Sequence, residues 1–336
     1  MSVYKLRIQL SVIPRLDPPI KSEDGIQCFQ WFMDPPVKPE DDKIRLYGQT
    51  LINHNTTMTT SDNPSDETKA LRDEIKRLRQ SLSELTPSID VLLKRRGFRI
   101  YKREPADDLL IPEEQFIAGF YEMMQRYSFR LFLREVIKHQ QLFSLEDITR
   151  YATAEVTKDY AGYMTAIGLI EDVPGGFRLF RRPIKSFGET LEWFMAEMFR
   201  REFSTEAIWG IRFKRPKVGG DYDLIAKVDG SILYMEVKSS PPKQIYQSEI
   251  AAFFDRVADL SPEISIFFVD TELRMKDKIV LMFDGELKRR NENPPKAVRM
   301  EKELFHLSDK IFIMNSKDNI AANIEKVMTW YFRKNQ

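Results

Sequence analysis

Two alternating runs, DYDLIAKV at 221–228 and SILYMEVK at 231–238, place Asp223, Glu236 and Lys238 where they could do chemistry together. Between them stands Asp229-Gly230, the dipeptide most favoured in a two-residue type I′ hairpin turn. With that turn, Asp223 falls directly opposite Glu236 on one face of the hairpin, with Cβ atoms about 4.5–5.5 Å apart. Asp221 faces Lys238 in the same register. The other face pairs Tyr222 with Val237, Leu224 with Met235 and Ala226 with Leu233, an apolar set whose burial pins the register, because a one-residue slip would bury the charges. Two facing carboxylates repel, and a fold tolerates them when a cation sits between. Lys238 lies two residues beyond Glu236 and points the same way. Two anionic ligands and one ammonium are a minimal kit for hydrolysing a phosphodiester. The metal polarises the phosphate and lowers the pKa of a bound water, while the lysine orients that water or steadies the developing charge. A solvated, charged strand is the competing reading, since a lone E-x-K triplet means nothing. The Asp held opposite and the helix-strand unit ahead of the hairpin weigh against it.

The remaining chemistry-bearing residues narrow the metal. The single cysteine, Cys28, excludes an intrachain disulfide and a multi-cysteine zinc site, and His54, His139 and His306 have no zinc-ligand spacing. Oxygen ligands must therefore hold any metal, which favours Mg²⁺ or Mn²⁺. The 52 basic and 51 acidic residues nearly cancel, so a case for nucleic acid must come from local clusters. Arg212, Lys214, Arg215 and Lys217 close the strand before the hairpin, and alternate members project beside the carboxylates as a phosphate grip, unless they form an ordinary solvated strand end. Lys243, after Pro241-Pro242, serves the same groove.

Around these residues the chain reads as several segments of a cytoplasmic protein with no membrane span: 336 residues suggest two or three domains, and no apolar run is long enough to cross a bilayer. The N-terminal apolar patch is too short and interrupted for a secretory leader. Residues 1–64 mix Pro18-Pro19 and Pro35-Pro36 with the polar tract NHNTTMTTSDNPSD and read as an extension or linker, with Met58 a plausible native start. Residues 65–127 form a helical segment. Leu71, Ile75, Leu78, Leu82 and Leu85 make a short heptad seam that Pro87 ends, read either as an amphipathic helix on its own domain or as a homodimer seam over 71–85. Ser88 caps a second helix that ends at Gly97.

Residues 128–185 run helix, helix, helix, hairpin. Phe129, Phe132, Leu133, Val136 and Ile137 form one stripe, Ser144 and Asp147 an N-cap, and a third helix runs from near Thr153 to Ile167. Two strand-like runs then flank Pro174-Gly175-Gly176. The order resembles a winged helix-turn-helix with a basic wing exit at Arg181, Arg182 and Lys185; a small helical spacer is the alternative. Residues 186–336 alternate as an α/β domain: the helix GETLEWFMAEMFRREF, then AIWGIRFK, the hairpin, a helix over 248–260, the strands ISIFFV and KIVLMF, and a closing helix near 320–332.

Residues 186–285, and GGDYDLIAKVDGSILYMEVKSS above all, resemble the D…(D/E)xK signature of the PD-(D/E)xK nuclease superfamily. The preceding helix resembles that of Holliday-junction-resolvase-like and Mrr-type restriction enzymes. The resemblance implies an α/β, restriction-endonuclease-like αβββαβ mixed-sheet core. It also implies Mg²⁺-dependent DNA cleavage with Asp223 and Glu236 as ligands and Lys238 as catalytic lysine. An acidic residue on the first core helix is best matched by Glu192, with Glu197 the runner-up and an ordinary surface glutamate an equal reading. Tyr222 stands where many members have proline, and the glutamine of the following helix has no clean match, Gln247 and Glu249 being the candidates. The expected function is thus a metal-dependent nuclease, with DNA the expected substrate. Two alternatives stay open: a winged-helix DNA-binding or regulatory protein that uses a nuclease fold as scaffold, and a structure-specific or RNA-directed nuclease subunit of a larger complex.

Overall fold

The computed structural model describes residues 86–334 except Arg181, Arg182, Arg215 and Pro216, together with five helical positions upstream: Leu71, Glu74, Arg77, Leu78 and Ser81. Chain contacts divide the protein into Met1–Ser61, which lies outside the described residues, and Asp62–Gln336. Leu71 and Leu78 of the heptad seam are largely exposed; Ile75, Leu82 and Leu85 lie outside the described residues. No helix among the described residues is long and apolar enough to cross a membrane.

An eight-stranded mixed sheet forms the centre. Its site-bearing part follows chain order: helix α6 (Gly188–Glu202), strands β4 (Ala207–Phe213), β5 (Tyr222–Val228) and β6 (Ser231–Lys238), helix α7 (Gln247–Leu260) and strand β7 (Ile264–Val269). β4, β5 and β6 pair antiparallel, and the α7 crossover returns β7 parallel to β6. This is the αβββαβ core of a restriction-endonuclease-like α/β fold. Every residue of β7 is buried, as both faces of a helix-covered parallel strand must be.

KIVLMF is helical, not a strand. A π turn at Lys276–Val280 leads into α8 (Leu281–Arg290), and Ile279, Val280, Phe283 and Leu287 form a buried stripe at helical spacing while Leu281 stays exposed. A short apolar run fits either period, and here the neighbouring helix decides. The strand parallel to β7 is instead β10 (Ile311–Asn315), extended by β9 (Leu304–Leu307) and β8 (Val298–Glu301), a pair the sequence reading had not separated out. At the opposite edge, β1 (Ile100–Lys102), from the segment expected to be helical, pairs with β4. α1 (Ile89–Arg95) begins at the Ser88 cap and ends before Gly97, whose φ is 87°. The residues leading into it are tied to the sheet where Lys227 Nζ donates to Thr86 Oγ1 at 3.0 Å.

Residues 117–179 supply α2 (Ile117–Met124), α3 (Tyr127–Lys138), α4 (Leu145–Ile148) and α5 (Ala154–Ala166), then the separate hairpin β2 (Ile170–Val173) and β3 (Gly176–Leu179). Ser144 and Asp147 form the expected capping box, and Thr153 caps α5. These helices share one apolar core with α6, the C-terminal helix α9 (Ile320–Lys334) and one face of the sheet. α1, α7 and α8 cover the other face.

Candidate active site

The β5–β6 hairpin takes the register expected of it as far as it pairs, Leu224 with Met235, Ala226 with Leu233 and Val228 with Ser231, and just beyond that end Asp223 lies beside Glu236, its Oδ2 accepting the N–H of Val237. The turn differs in detail. Asp229 has φ 54°, but Gly230 is not left-handed, so the link uses one left-handed residue where a type I′ turn needs two. Nor is one face of the hairpin left to charge. Ile225, Ile232 and Tyr234 share the carboxylate side and are buried under α7, so both faces are apolar and the charges occupy only the end of the hairpin. Tyr222 packs on that same side and not with Leu224, because β4 and β5 switch face here. Trp209 and Ile211 likewise belong to opposite cores. The switch runs through Gly210, at φ 57°, where a Cβ would come within 2.4 Å of Pro105. Its effect is to gather groups from both faces around Asp223.

Glu236 is almost completely buried, yet every acceptor position it has is used. Lys238 Nζ reaches Oε1 at 2.9 Å, Arg256 Nη1 donates to Oε1 at 3.0 Å and Oε2 at 2.9 Å, and the Tyr234 hydroxyl bonds to Oε2. Asp223 Oδ2 accepts the Val237 N–H at 2.8 Å. Burial, then repulsion by Glu236, lifts its pKa to about 7, against the opposing pull of Lys238. Glu192 extends toward Asp223 from α6. Burial first, and then the charges of Asp223 and Glu189, push its carboxyl well above the ordinary range. Burial works against the Lys238 ammonium, but Glu236 and Asp223 outweigh it and hold its pKa above that of an ordinary lysine.

Thus Glu192, Asp223, Glu236 and Lys238 come together. Glu197 instead pairs with Arg200 and Arg201 on the helix surface. Asp221 does not meet Lys238; it holds Arg212 through two bonds of 2.7 and 2.8 Å, because hairpin pairing ends at Leu224 and Met235. Arg212 is therefore already ion-paired, while Lys214, Lys217 and Lys243 are exposed. Arg215, Arg181 and Arg182 lie outside the described residues. Gln247 turns to Met282 and Glu286, whereas Glu249 pairs with Lys238 at 3.3 Å. The reading from sequence missed Arg256. Its only trace there is its place seven residues after Glu249, on the same side of α7.

The donor set suits a hard cation. Among the described residues no three carboxylate, histidine or cysteine side chains close into a cage. Mg²⁺ keeps several waters and is commonly bound through one or two carboxylates. Asp223 with Glu236 or Glu192 supplies these, and the raised proton affinity of Asp223 and Glu192 marks negative charge that a cation would relieve. A pH dependence follows. Asp223 and Glu192 hold protons more tightly folded than unfolded, so their contribution to stability is complete below about pH 4; that of Asp223 is lost as pH rises through about 7, and that of Glu192 as pH rises through its own raised range. Mg²⁺ should offset that loss, so the rise in melting temperature on adding it should be larger near pH 8 than near pH 6. Melting curves with Mg²⁺ and with EDTA check this, and an equal or reversed pH trend would contradict it.

No protein-family model matches the chain, and no curated protein matches it in sequence. Several solved structures are similar to the chain, two of them as follows. Can2 from Sulfobacillus thermosulfidooxidans, in complex with cyclic tetra-adenylate, is 14% identical with a TM-score of 0.42, covering 73% of this chain and 60% of Can2. Protein VC1899 from Vibrio cholerae is 10% identical with a TM-score of 0.45, covering 74% of this chain and 62% of VC1899. The chain spans about 60% of the length of each. Likeness at this level says nothing about ligand or reaction.

Proposed function

We propose that this protein is a metal-dependent phosphodiesterase of the PD-(D/E)xK class that cleaves nucleic acid, with DNA its expected substrate. The observation that carries the proposal is that Asp223, bonded to the Val237 N–H, lies beside Glu236, with Lys238 bonded to Glu236, at one buried hairpin end. Asp223 and Glu236, with Glu192 beside them, would hold Mg²⁺ or Mn²⁺. When bound, the ion supplies an activated water and polarises the phosphate. The residues of the chain do the rest. Val237 fixes one oxygen of Asp223, and Tyr234 orients Glu236. Lys238, held at 2.9 Å from Glu236, would orient the water or donate to a phosphate oxygen. Exposed Lys214, Lys217 and Lys243 would bind the backbone on either side, and the helix-and-hairpin module, read as winged-helix-like, would recruit substrate or a partner.

The direct experiment incubates the protein with supercoiled, linear, branched and single-stranded DNA, and with RNA, in Mg²⁺ or EDTA. Cleavage of none of these in Mg²⁺ would refute the proposal. Lys238→Ala is expected to keep Mn²⁺ and nucleic-acid binding while turnover falls by roughly 10²–10³-fold, the usual loss for one charge-stabilising donor. A parallel loss of metal binding would make the lysine structural.

A further inference from the structure

We propose that Arg256 is a resident counter-ion of Glu236, with which an incoming divalent cation must compete, and that it thereby sets how tightly the site holds metal. The inference rests on the metal-dependent reading above. A carboxylate offers about four acceptor positions. In Glu236 all are occupied, by Lys238 on Oε1, the Tyr234 hydroxyl on Oε2 and Arg256 Nη1 across both oxygens. A metal can bind this carboxylate only if one donor yields. Lys238 is the group the chemistry needs, and it is anchored a second time by Glu249 at 3.3 Å. Tyr234 is uncharged and does not repel a cation. Arg256 carries a full positive charge at the point where the ion must arrive.

Its seat is built for it. Gly220, at φ 94°, holds a backbone conformation that favours glycine, and a Cβ there would lie 2.5 Å from Arg256 Nη2, so any larger residue would displace the guanidinium. Arg256 Nε is buried and has no hydrogen-bond partner among the described residues. The guanidinium therefore faces Glu236 by one nitrogen only, where an arginine–carboxylate pair would ordinarily use two parallel bonds. That is a weaker grip than the chemistry allows, as exchange with a cation requires.

Isothermal titration of the full chain with Mn²⁺, at one fixed pH and without nucleic acid, tests the inference. Arg256→Gln should bind Mn²⁺ at least about tenfold more tightly than the parent, because a like charge next to the ion is gone. Arg256→Lys keeps the charge and should stay near the parent. In EDTA the glutamine variant should melt below the parent, and saturating Mn²⁺ should close the gap, since the cation then fills the place of the guanidinium. If Arg256→Gln does not fold in EDTA, its folding in Mn²⁺ supports the exchange, and failure in both overturns it. Unchanged or weaker Mn²⁺ binding by the folded glutamine variant also overturns it. Because the titration needs no cleavage, a protein that behaves as expected here yet cuts nothing would refute the nuclease reading alone.

Discussion

Asp223→Asn is expected to lower nucleic-acid cleavage by roughly 10²–10³-fold or more while leaving the metal-free protein as stable as the parent or slightly more so. Both effects come from one charge. Asparagine can still accept the Val237 N–H that now bonds Oδ2, so the hairpin end keeps its hydrogen bond. It cannot repel Glu236 or Glu192; in the parent, burial and then the charge of Glu236 hold the Asp223 carboxyl up at about 7. Near pH 8 in EDTA the variant should therefore melt at or above the parent temperature, and Mg²⁺ should no longer raise it. The parent should gain from Mg²⁺ under the same conditions. Calorimetric Mn²⁺ titration alongside a cleavage assay separates the possibilities. An asparagine variant that binds metal and cleaves like the parent would reduce the hairpin to an ordinary charged strand end.

Asp270→Ala is expected to cost about 3–5 kcal/mol, the usual price of breaking a buried ion pair from one side. Asp270 follows β7 and is wholly buried, as is Arg130 of α3. Arg130 Nε and Nη2 donate to Oδ1 at 3.0 and 2.9 Å, and Arg134 Nη2 and the Ser316 hydroxyl complete the carboxylate. Burial alone would raise the Asp270 pKa, but Arg130 and Arg134 outweigh it and hold the group ionised. Alanine would leave the Arg130 guanidinium in the core, with only the Met124 and Gln125 carbonyls as acceptors. The melting temperature should fall by on the order of 10 °C. Because the Asp270 N–H also donates to the Lys238 carbonyl at 2.8 Å, activity should fall with stability. Removing both charges together, as Arg130→Met with Asp270→Leu, should recover much of the loss. If the single variant loses less than about 1 kcal/mol, water or another acceptor is already reaching Arg130.

How legible each group was in the sequence depended on how far away its partners lie. Asp223, Glu236 and Lys238 could be placed together because a hairpin is local: a two-residue link and an alternation of period two set which residues face each other. The helix caps at Ser88 and Ser144 were legible for the same reason, each depending on atoms within three residues. KIVLMF carried no such local constraint. Six apolar residues fit strand or helix, and contact with α7 decided for helix.

The sequence by itself therefore determined the hairpin, its register and the three charged groups at its end, since all follow from neighbours along the chain. Only the tertiary structure decided their electrostatic state. The counter-ion of Glu236 comes from Arg256, 20 residues on, and that of Asp270 from Arg130, 140 residues back. Burial of Asp223 and Glu192 comes from elements on both faces of the sheet, and it is what turns ordinary carboxylates into proton-holding ones. Desolvation and ion pairing depend on distance through space, which the spacing of residues in the chain does not encode.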